Sequence, residues 1–271
     1  MKVAAIQMVS AVERDANLAR ARALLEEAAA AGAELAVLPE YFCVMGRRDT
    51  DKLELRERLA DGPVQRFLSD SARELGLWVV GGTLPLDSPE EGHVFNSSLA
   101  FSPGGERVAR YDKIHLFCFD NGAERYDERR VITPGTEPVL FELPSRDGYL
   151  WRVGMSVCYD LRFPELYRAL AARGADLLLV PSAFTHTTGS AHWELLLRAR
   201  AIENLAWVMA PAQGGKHENG RRTWGQSMVV DPWGAIAAQQ ASDEGVVLCE
   251  IDAARIDAAR RQLPALAHRV I

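Results

Sequence analysis

Three reactive side chains in this 271-residue chain each follow an apolar, strand-like run: Glu40 after AVLP, Lys113 after VARYD and Cys158 after GMSV. Open α/β sheets gather ligands at the carboxyl ends of their strands, so the placement is itself a signal. A thiol, a carboxylate and an ammonium together can open an amide. That reaction needs a nucleophile, a group that takes its proton and later passes one to the departing nitrogen, and a positive donor where charge collects on the carbonyl oxygen. Cys158 supplies the sulfur, Glu40 the proton-handling carboxylate and Lys113 the fixed cation. A nearby carboxylate raises a thiol's pKa and an ammonium lowers it, so the pair is expected to leave Cys158 poised with Glu40 as its base. The backbone N–H of Tyr159 is a natural second donor to the oxyanion. Each residue alone also has a plainer reading: a surface glutamate, a solvated lysine, a packing cysteine.

The elements that must position these groups repeat a rhythm. Residues 2–8 (KVAAIQM) read as a buried strand, 17–32 as a helix starting near Asp15 or Asn17 and ended by Gly32, and 34–40 as a short strand stopped by Pro39. A helical segment at 63–76, a strand at 77–82 and a strand pair turning at PGG (103–105) follow. The second half has a strand at 151–157, a helix at 164–174 opening on Pro164, a strand at 175–181, a long helix at 191–206, a strand at 207–212 and a hairpin turning at Asp231–Gly234. A last strand, VVLCEID, and a last helix, AARIDAARRQL, complete it. Two rounds of strand, helix, strand, helix, strand and hairpin indicate an α/β protein with helices outside its sheets, and no low-complexity linker divides them, so 1–271 reads as one domain.

Bulk composition narrows the function. A net charge of -6 and a pI near 5.6 argue against nucleic-acid binding, and the pairs Arg47-Arg48 and Arg221-Arg222 are too small to change that and read as solvated surface. No apolar run reaches the roughly 18 residues of a membrane span. Four widely spaced cysteines, at 43, 118, 158 and 249, point to reduced thiols and a cytoplasmic protein, with packing the expected role of all but Cys158. No metal-ligand spacing, phosphate loop or dinucleotide fingerprint is present, and no cofactor or metal is expected.

LPEYF (38–42), YDKIHLF (111–117) and SVCYDLRFPELYR (156–168), in this order, resemble the nitrilase superfamily of carbon-nitrogen hydrolases. The resemblance continues through HWELLLRARAIEN (192–204), SMVVDPWG (227–234) and RQLPALAHR (261–269), covering essentially the whole chain. It implies a four-layer αββα sandwich with two internally similar halves, commonly a homodimer or higher homo-oligomer, and catalysis by Glu40, Lys113 and Cys158 through a thioester. It also implies a further glutamate in ERYDERRVITPG (124–135), where Glu128 aligns better than Glu124. The branch most like this chain contains deaminated glutathione amidase and the ω-amidases of 2-oxoglutaramate and 2-oxosuccinamate, with SVCYDLRFPEL, PSAF (181–184) and TGSAHWELLLRARAIE leaning to the former. The loops VMGRRDTD (44–51) and FCFDNGAERYD (117–127) match no familiar pattern.

The expected substrate is therefore a small carboxylate-bearing amide. Tyr159, Arg162 and His186 are candidates for oxyanion or substrate contacts, and an acidic protein must bring at least one of Arg47, Arg48, Arg125, Arg129, Arg162 or Lys216 to the pocket. Asp160 and Arg162 are expected to pair and order the turn, and His115 to bond a strand end. Rival readings are a nitrilase or N-carbamoyl hydrolase, a papain-like peptidase using His186 or His192, and a non-catalytic binding protein. The last would be marked by loss of Glu40, Lys113 or Cys158, and all three are present.

Overall fold

The computed structural model describes residues 1–270. Its first sheet is built from β1 (Lys2–Gln7), β2 (Leu35–Val37), β3 (Trp78–Val80), β4 (Leu84–Asp87), β5 (Val94–Phe101) and β6 (Arg107–Asp112). A short hairpin follows, β7 (Cys118–Asp120) with β8 (Arg125–Asp127). The second sheet uses β9 (Leu140–Pro144), β10 (Leu150–Met155), β11 (Leu177–Leu179) and β12 (Trp207–Ala210), then, past the hairpin β13 (Gly214–Lys216) with β14 (Arg222–Trp224), β15 (Ser227–Val230) and β16 (Ile236–Gln240). The last strand, β17 (Gly245–Glu250), returns to pair antiparallel with β1. Helices α1 (Arg14–Ala30), α2 (Asp51–Glu54), α3 (Pro63–Leu75), α4 (Pro164–Ala172), α5 (His186–Asn204) and α6 (Ala253–Gln262) complete the chain.

The two sheets share one plan. In the order β17-β1-β2-β3-β5-β4 the three strands β1, β2 and β3 run parallel between antiparallel neighbours, and β16-β15-β12-β11-β10-β9 repeats this with β10, β11 and β12. In both sheets the parallel strands are joined by helices, α1 and α3 in one, α4 and α5 in the other. The expected two similar halves are visible in this repeat.

Alternation along β1 and β2 explains the layering, because successive side chains of a strand point to opposite faces. Val3, Ala5, Leu35 and Val37 pack into one cluster with Trp151, Val153, Leu177 and Val208 of the other sheet. Ala4, Ile6 and Ala36 turn the other way, onto Leu24, Leu25 and Ala28 of α1 and Leu68 and Ala72 of α3. Leu166 and Leu170 of α4 and Trp193 and Leu197 of α5 cover the second sheet. Helix, sheet, sheet, helix is therefore the order of layers. Each fully buried leucine contributes about 1.5–3 kcal/mol to holding them.

Two helix starts differ from expectation. Helix α1 begins at Arg14, and Asn17 is buried inside it, where its side chain accepts from the Ala11 N–H at 2.7 Å and donates to the carbonyls of Ala11 and Cys43. Helix α5 begins at His186, five residues early, despite Thr187, Thr188 and Gly189. Packing overrides propensity there: a Cβ on Gly189 would stand 2.4 Å from Cβ of Trp224, so only glycine lets the helix lie on β14. The hairpins β7–β8 and β13–β14 are polar and have three-residue strands, which is why their sequences read as loops. Among the described residues no helix is long and apolar enough to cross a membrane.

Candidate active site

Glu40 lies three residues past β2, in a turn where Tyr41 adopts a left-handed φ of 57°. The end of β3 presses against this turn so closely that a Cβ on Gly82, itself at φ 34°, would stand 1.9 Å from the Pro39 carbonyl oxygen. The Glu40 side chain is 1% exposed, and both of its oxygens accept hydrogen bonds. Oε1 accepts from Lys113 Nζ at 2.9 Å and Asn96 Nδ2 at 3.0 Å, and Oε2 accepts from the Ala183 backbone N–H at 2.8 Å. Strands of both sheets therefore fix one carboxylate.

Lys113 follows β6 and is completely buried. Its ammonium also reaches Glu128, at 3.0 Å to Oε1 and 2.8 Å to Oε2. Glu128 accepts in addition from Tyr41 Oη at 2.8 Å and from the Phe117 N–H at 2.7 Å. Burial by itself disfavours the ammonium, but the charges of Glu128 and Glu40 outweigh it and hold Lys113 above its ordinary pKa. Burial likewise opposes ionisation of Glu128, and Lys113, through charge and hydrogen bond, prevails and keeps that carboxyl below its usual range. Lys113 and Glu128 thus hold each other in their charged forms.

Cys158 comes three residues after β10 and is held at φ 49°, a conformation that non-glycine residues seldom adopt and that costs on the order of 1–3 kcal/mol. Two anchors enforce it. Its own N–H donates to the Pro181 carbonyl at 3.0 Å, and Asp160, fully buried, accepts from the Val157 N–H at 2.8 Å on the other side of the turn. Asp160 also accepts from Tyr111 Oη at 2.6 Å, from the His115 N–H at 2.9 Å, and pairs with His115 Nδ1 at 2.7 Å. Tyr111 and His115 flank Lys113, so one carboxylate ties the lysine segment to the cysteine turn. The expected Asp160–Arg162 pair is replaced by this clamp.

The thiol itself departs from expectation. Burial pushes Cys158 well above the ordinary cysteine pKa, Glu40 adds to the rise, and the opposing pull of Lys113 does not offset them. Glu40 and Glu128 both act against a thiolate beside them, and only Lys113 acts for it. Cys158 rests as a neutral thiol.

A narrow cleft joins these groups. Glu40, Glu128 and Cys158 line it with Phe117, Tyr159, Arg162, Phe184 and Arg221, and the room left, about 10 Å³, fits roughly one water. A larger cavity of about 700 Å³, bordered by His186, Lys216, Arg222 and Trp224, contains none of Glu40, Lys113, Glu128 and Cys158.

The other sequence candidates separate cleanly. Arg162 lies over the rings of Tyr159 and Phe184, at 5.7 and 5.3 Å, and lines the cleft. His186 does not: at the start of α5 its ring meets Trp224 edge-on at 5.0 Å, facing the larger cavity. His192 sits 3.2 Å from Arg162 Nη1, and among the described residues no histidine lines the cleft that holds Cys158, which removes the papain-like arrangement. Glu124 accepts from Thr187 at the surface and Glu128 takes the inner position. Arg47 pairs with Glu218, Arg48 with Asp51, Arg125 with Asp120 and Arg129 with Asp127, and Lys216 borders the larger cavity. Cys118 is exposed on the β7–β8 hairpin and not packed. Sequence reasoning missed Tyr41, Asn96 and Arg221. Their only local signals are a tyrosine beside the glutamate, an amide inside an apolar strand and one half of an Arg-Arg pair.

A carbon-nitrogen hydrolase family model matches residues 2–261. The chain belongs to that family. It is thus a hydrolytic enzyme of carbon-nitrogen bonds. Among its relatives, a deaminated glutathione amidase of Synechocystis sp. (strain PCC 6803 / GT-S) is 40% identical over 270 residues, covering 98% of this chain and 97% of that one. The omega-amidase NIT2 of Homo sapiens is 36% identical over 97% of this chain and 92% of its own length. The crystal structure of the C. elegans NitFhit protein superposes with a TM-score of 0.90 at 38% identity over 99% of this chain, which spans 65% of that longer chain. The αββα sandwich is the fold of these carbon-nitrogen hydrolases.

Proposed function

We propose that the enzyme hydrolyses the amide bond of a small carboxylate-bearing acid through a thioester on Cys158. The observation that carries this reading is the buried cluster in which Glu40 holds Lys113 on one oxygen while lining the same cleft as the sulfur. Glu40 takes the thiol proton as Sγ attacks the carbonyl carbon. Negative charge gathers on the carbonyl oxygen, where Lys113 Nζ and the Tyr159 N–H are assigned to meet it, the Cys158 N–H being spent on Pro181. Glu40 then passes its proton to the nitrogen, the C–N bond breaks and the amine leaves. Water, deprotonated by Glu40, attacks the thioester, the C–S bond breaks and the proton returns to sulfur. Glu128 positions Lys113 and remains ionised throughout.

Arg162, the cation above Tyr159 and Phe184, is assigned to the carboxylate of the acyl portion. The full-length likeness to a deaminated glutathione amidase favours an oxo-acid amide of that kind, with the ω-amidase substrate 2-oxoglutaramate as the second choice. Exposed Leu195, Ile202 and Trp233, on α5 and the β15–β16 turn beside it, form the face proposed for homodimerisation. Free cysteines throughout agree with a cytoplasmic enzyme. Intact-protein mass spectrometry of enzyme mixed with 2-oxoglutaramate or deaminated glutathione tests the mechanism. An added acyl mass on Cys158, absent from Cys158→Ala, is expected, and turnover by that variant within tenfold of wild type would refute it.

A further inference from the structure

Asn96 and Ala100 share a face of β5, and Ala100 packs into the cluster between the two sheets. From that face Asn96 holds two of the reactive groups at once. Its backbone carbonyl accepts from the Lys113 N–H at 3.0 Å. Its side-chain Nδ2 donates twice, to Glu40 Oε1 at 3.0 Å and to Tyr41 Oη at 3.2 Å. Burial and the charges of Glu128 and Glu40 keep that hydroxyl protonated, and it donates in turn to Glu128 Oε1 at 2.8 Å. Lys113 Nζ bonds the same Glu128 oxygen at 3.0 Å and Glu40 Oε1 at 2.9 Å. Asn96, Tyr41, Glu128, Lys113 and Glu40 therefore close a ring of hydrogen bonds in which every donor points one way.

The amide takes this orientation at a cost. With Nδ2 turned to Glu40 and Tyr41, Oδ1 is buried and meets no donor among the described residues. The opposite orientation would set Oδ1 against a carboxylate oxygen and a hydroxyl whose proton is committed to Glu128, one acceptor facing two. An orphaned buried acceptor is expensive, and an apolar side chain of the same shape would have none, so the fold bears that cost for the sake of the two bonds from Nδ2. Their consequence falls on Glu40. A carboxylate oxygen offers about two lone-pair directions. Those of Oε1 are taken by Lys113 and Asn96, whereas Oε2 accepts one hydrogen bond among the described residues, from the Ala183 N–H at 2.8 Å, and keeps a direction open.

We propose that Asn96 is a positioning residue that closes Oε1 of Glu40 to protons, so that Oε2 alone carries the proton from Sγ to the leaving nitrogen and from the hydrolytic water back to sulfur. This deepens the amidase reading above and rests on it. The steps balance on that one oxygen. The S–H bond breaks and an O–H bond forms at Oε2 as sulfur joins the carbonyl carbon. That O–H then breaks as the nitrogen takes the proton and the C–N bond opens. Water loses a proton to the same oxygen as it attacks the thioester, and sulfur recovers that proton when the C–S bond breaks. Without Asn96, Oε1 gains an open direction of its own, and a proton held there is held away from the reacting atoms.

Steady-state turnover of 2-oxoglutaramate and of deaminated glutathione between pH 6 and pH 8.5 tests this. Asn96→Leu keeps the shape and removes both donors. It should lower kcat by about tenfold to a hundredfold, the worth of a hydrogen bond to a charged group, and leave KM within about threefold of wild type, because Asn96 does not line the cleft. Ser98→Ala, on the same face of β5, deletes a buried hydroxyl with no partner among the described residues and should leave kcat unchanged, which separates loss of the bond from loosening of the strand. Asn96→Asp gives a readout that packing alone would not move. The titratable groups around it are Glu40 and Tyr41 after β2, Lys113 after β6, Glu128 after β8 and Cys158 after β10. Beside two carboxylates the new carboxyl holds its proton at low pH and donates one of the two bonds, and it loses that proton as pH rises. Its kcat relative to wild type should be highest at pH 6 and fall toward pH 8.5. Asn96→Leu with kcat within about threefold of wild type, a loss confined to KM, or an Asn96→Asp ratio that stays flat with pH would overturn the role of Asn96 and leave the amidase reading standing; if Asn96→Leu fails to fold, the Asn96→Asp ratio decides. Wild-type enzyme that cleaved neither substrate would overturn the amidase reading itself.

Discussion

Replacing Lys113 by methionine removes the one cation between two buried carboxylates, and the consequences for stability can be worked out. Glu40 and Glu128 are 1% and 14% exposed and bind the ammonium at 2.9 and 2.8 Å. Deleting one member of a buried ion pair costs about 3–5 kcal/mol, because the remaining charge is left without compensation. For a chain of this size that lowers Tm by about 6–15 °C. The pH dependence must also reverse. In the wild type the folded pKa of Glu128 is depressed, so its contribution is fully present above the unfolded carboxylate value near 4.3 and is lost as pH falls through the folded value. In Lys113→Met burial, the largest influence on Glu128, is opposed only by the hydrogen bonds from Phe117 and Tyr41, and the folded carboxyl pKa should rise. Stability is then fully present below the unfolded value and lost as pH rises through the folded one. Thermal melts followed by circular dichroism at pH 5 and pH 8 should show a wild type that holds its Tm and a variant that is weaker at pH 8. Adding Glu128→Gln should recover part of the loss, since Glu40 keeps its bonds from Asn96 and Ala183. A Lys113→Met melting point within about 2 °C of wild type at pH 8, or the same pH slope as wild type, would refute the ionised cluster.

Three further outcomes follow from the same geometry. Glu40→Gln should lower amide turnover by about 10²–10⁴, the usual worth of a positioned acid–base group, yet speed alkylation of Cys158 by iodoacetamide, because Glu40 raises that thiol's pKa. Peptide mapping of the wild type at pH 7.5 should find exposed Cys118 labelled first and Cys158 and Cys43 later, the Cys43 thiol being pushed up to about 12 chiefly by burial; Cys158 labelled fastest would contradict a neutral resting thiol. Gly82→Ala drives a methyl into the Pro39 carbonyl and should cost about 2 kcal/mol or more in stability while displacing Glu40, so that a soluble variant with unchanged kcat would show that the turn yields freely.

Glu40, Lys113 and Cys158 were legible because a reactive side chain after an apolar strand is a local pattern, and the strands themselves announce their ends with Pro39 and with charge. Glu128 was legible only through resemblance, since its segment is a short polar hairpin with no periodicity. Arg221 was illegible. Its environment is made by Met45, 176 positions away, and the Arg221-Arg222 pair looks like any solvated pair until the fold turns one, half-buried, to the cleft and leaves the other exposed. Asn96 posed the converse problem: in NSSLAFS it reads as the polar side of a strand, but β5 is buried on both faces and the amide serves Glu40. The direction of the Cys158 shift needed a count of charges in space, two carboxylates against one ammonium, and no spacing in sequence supplies that count.

Such long-range dependence has a physical corollary. The Glu40 carboxylate is held by Asn96, Lys113 and Ala183, which lie 56, 73 and 143 positions away. Two of these belong to the first half of the chain and the third to the loop after β11 in the second, so the carboxylate is correctly placed only while the two sheets are packed face to face. On the proposed mechanism hydrolytic activity should therefore report on the seam between sheets, and perturbations that loosen the cluster around Val37, Val153 and Leu177 should abolish turnover before they reduce helix or strand content.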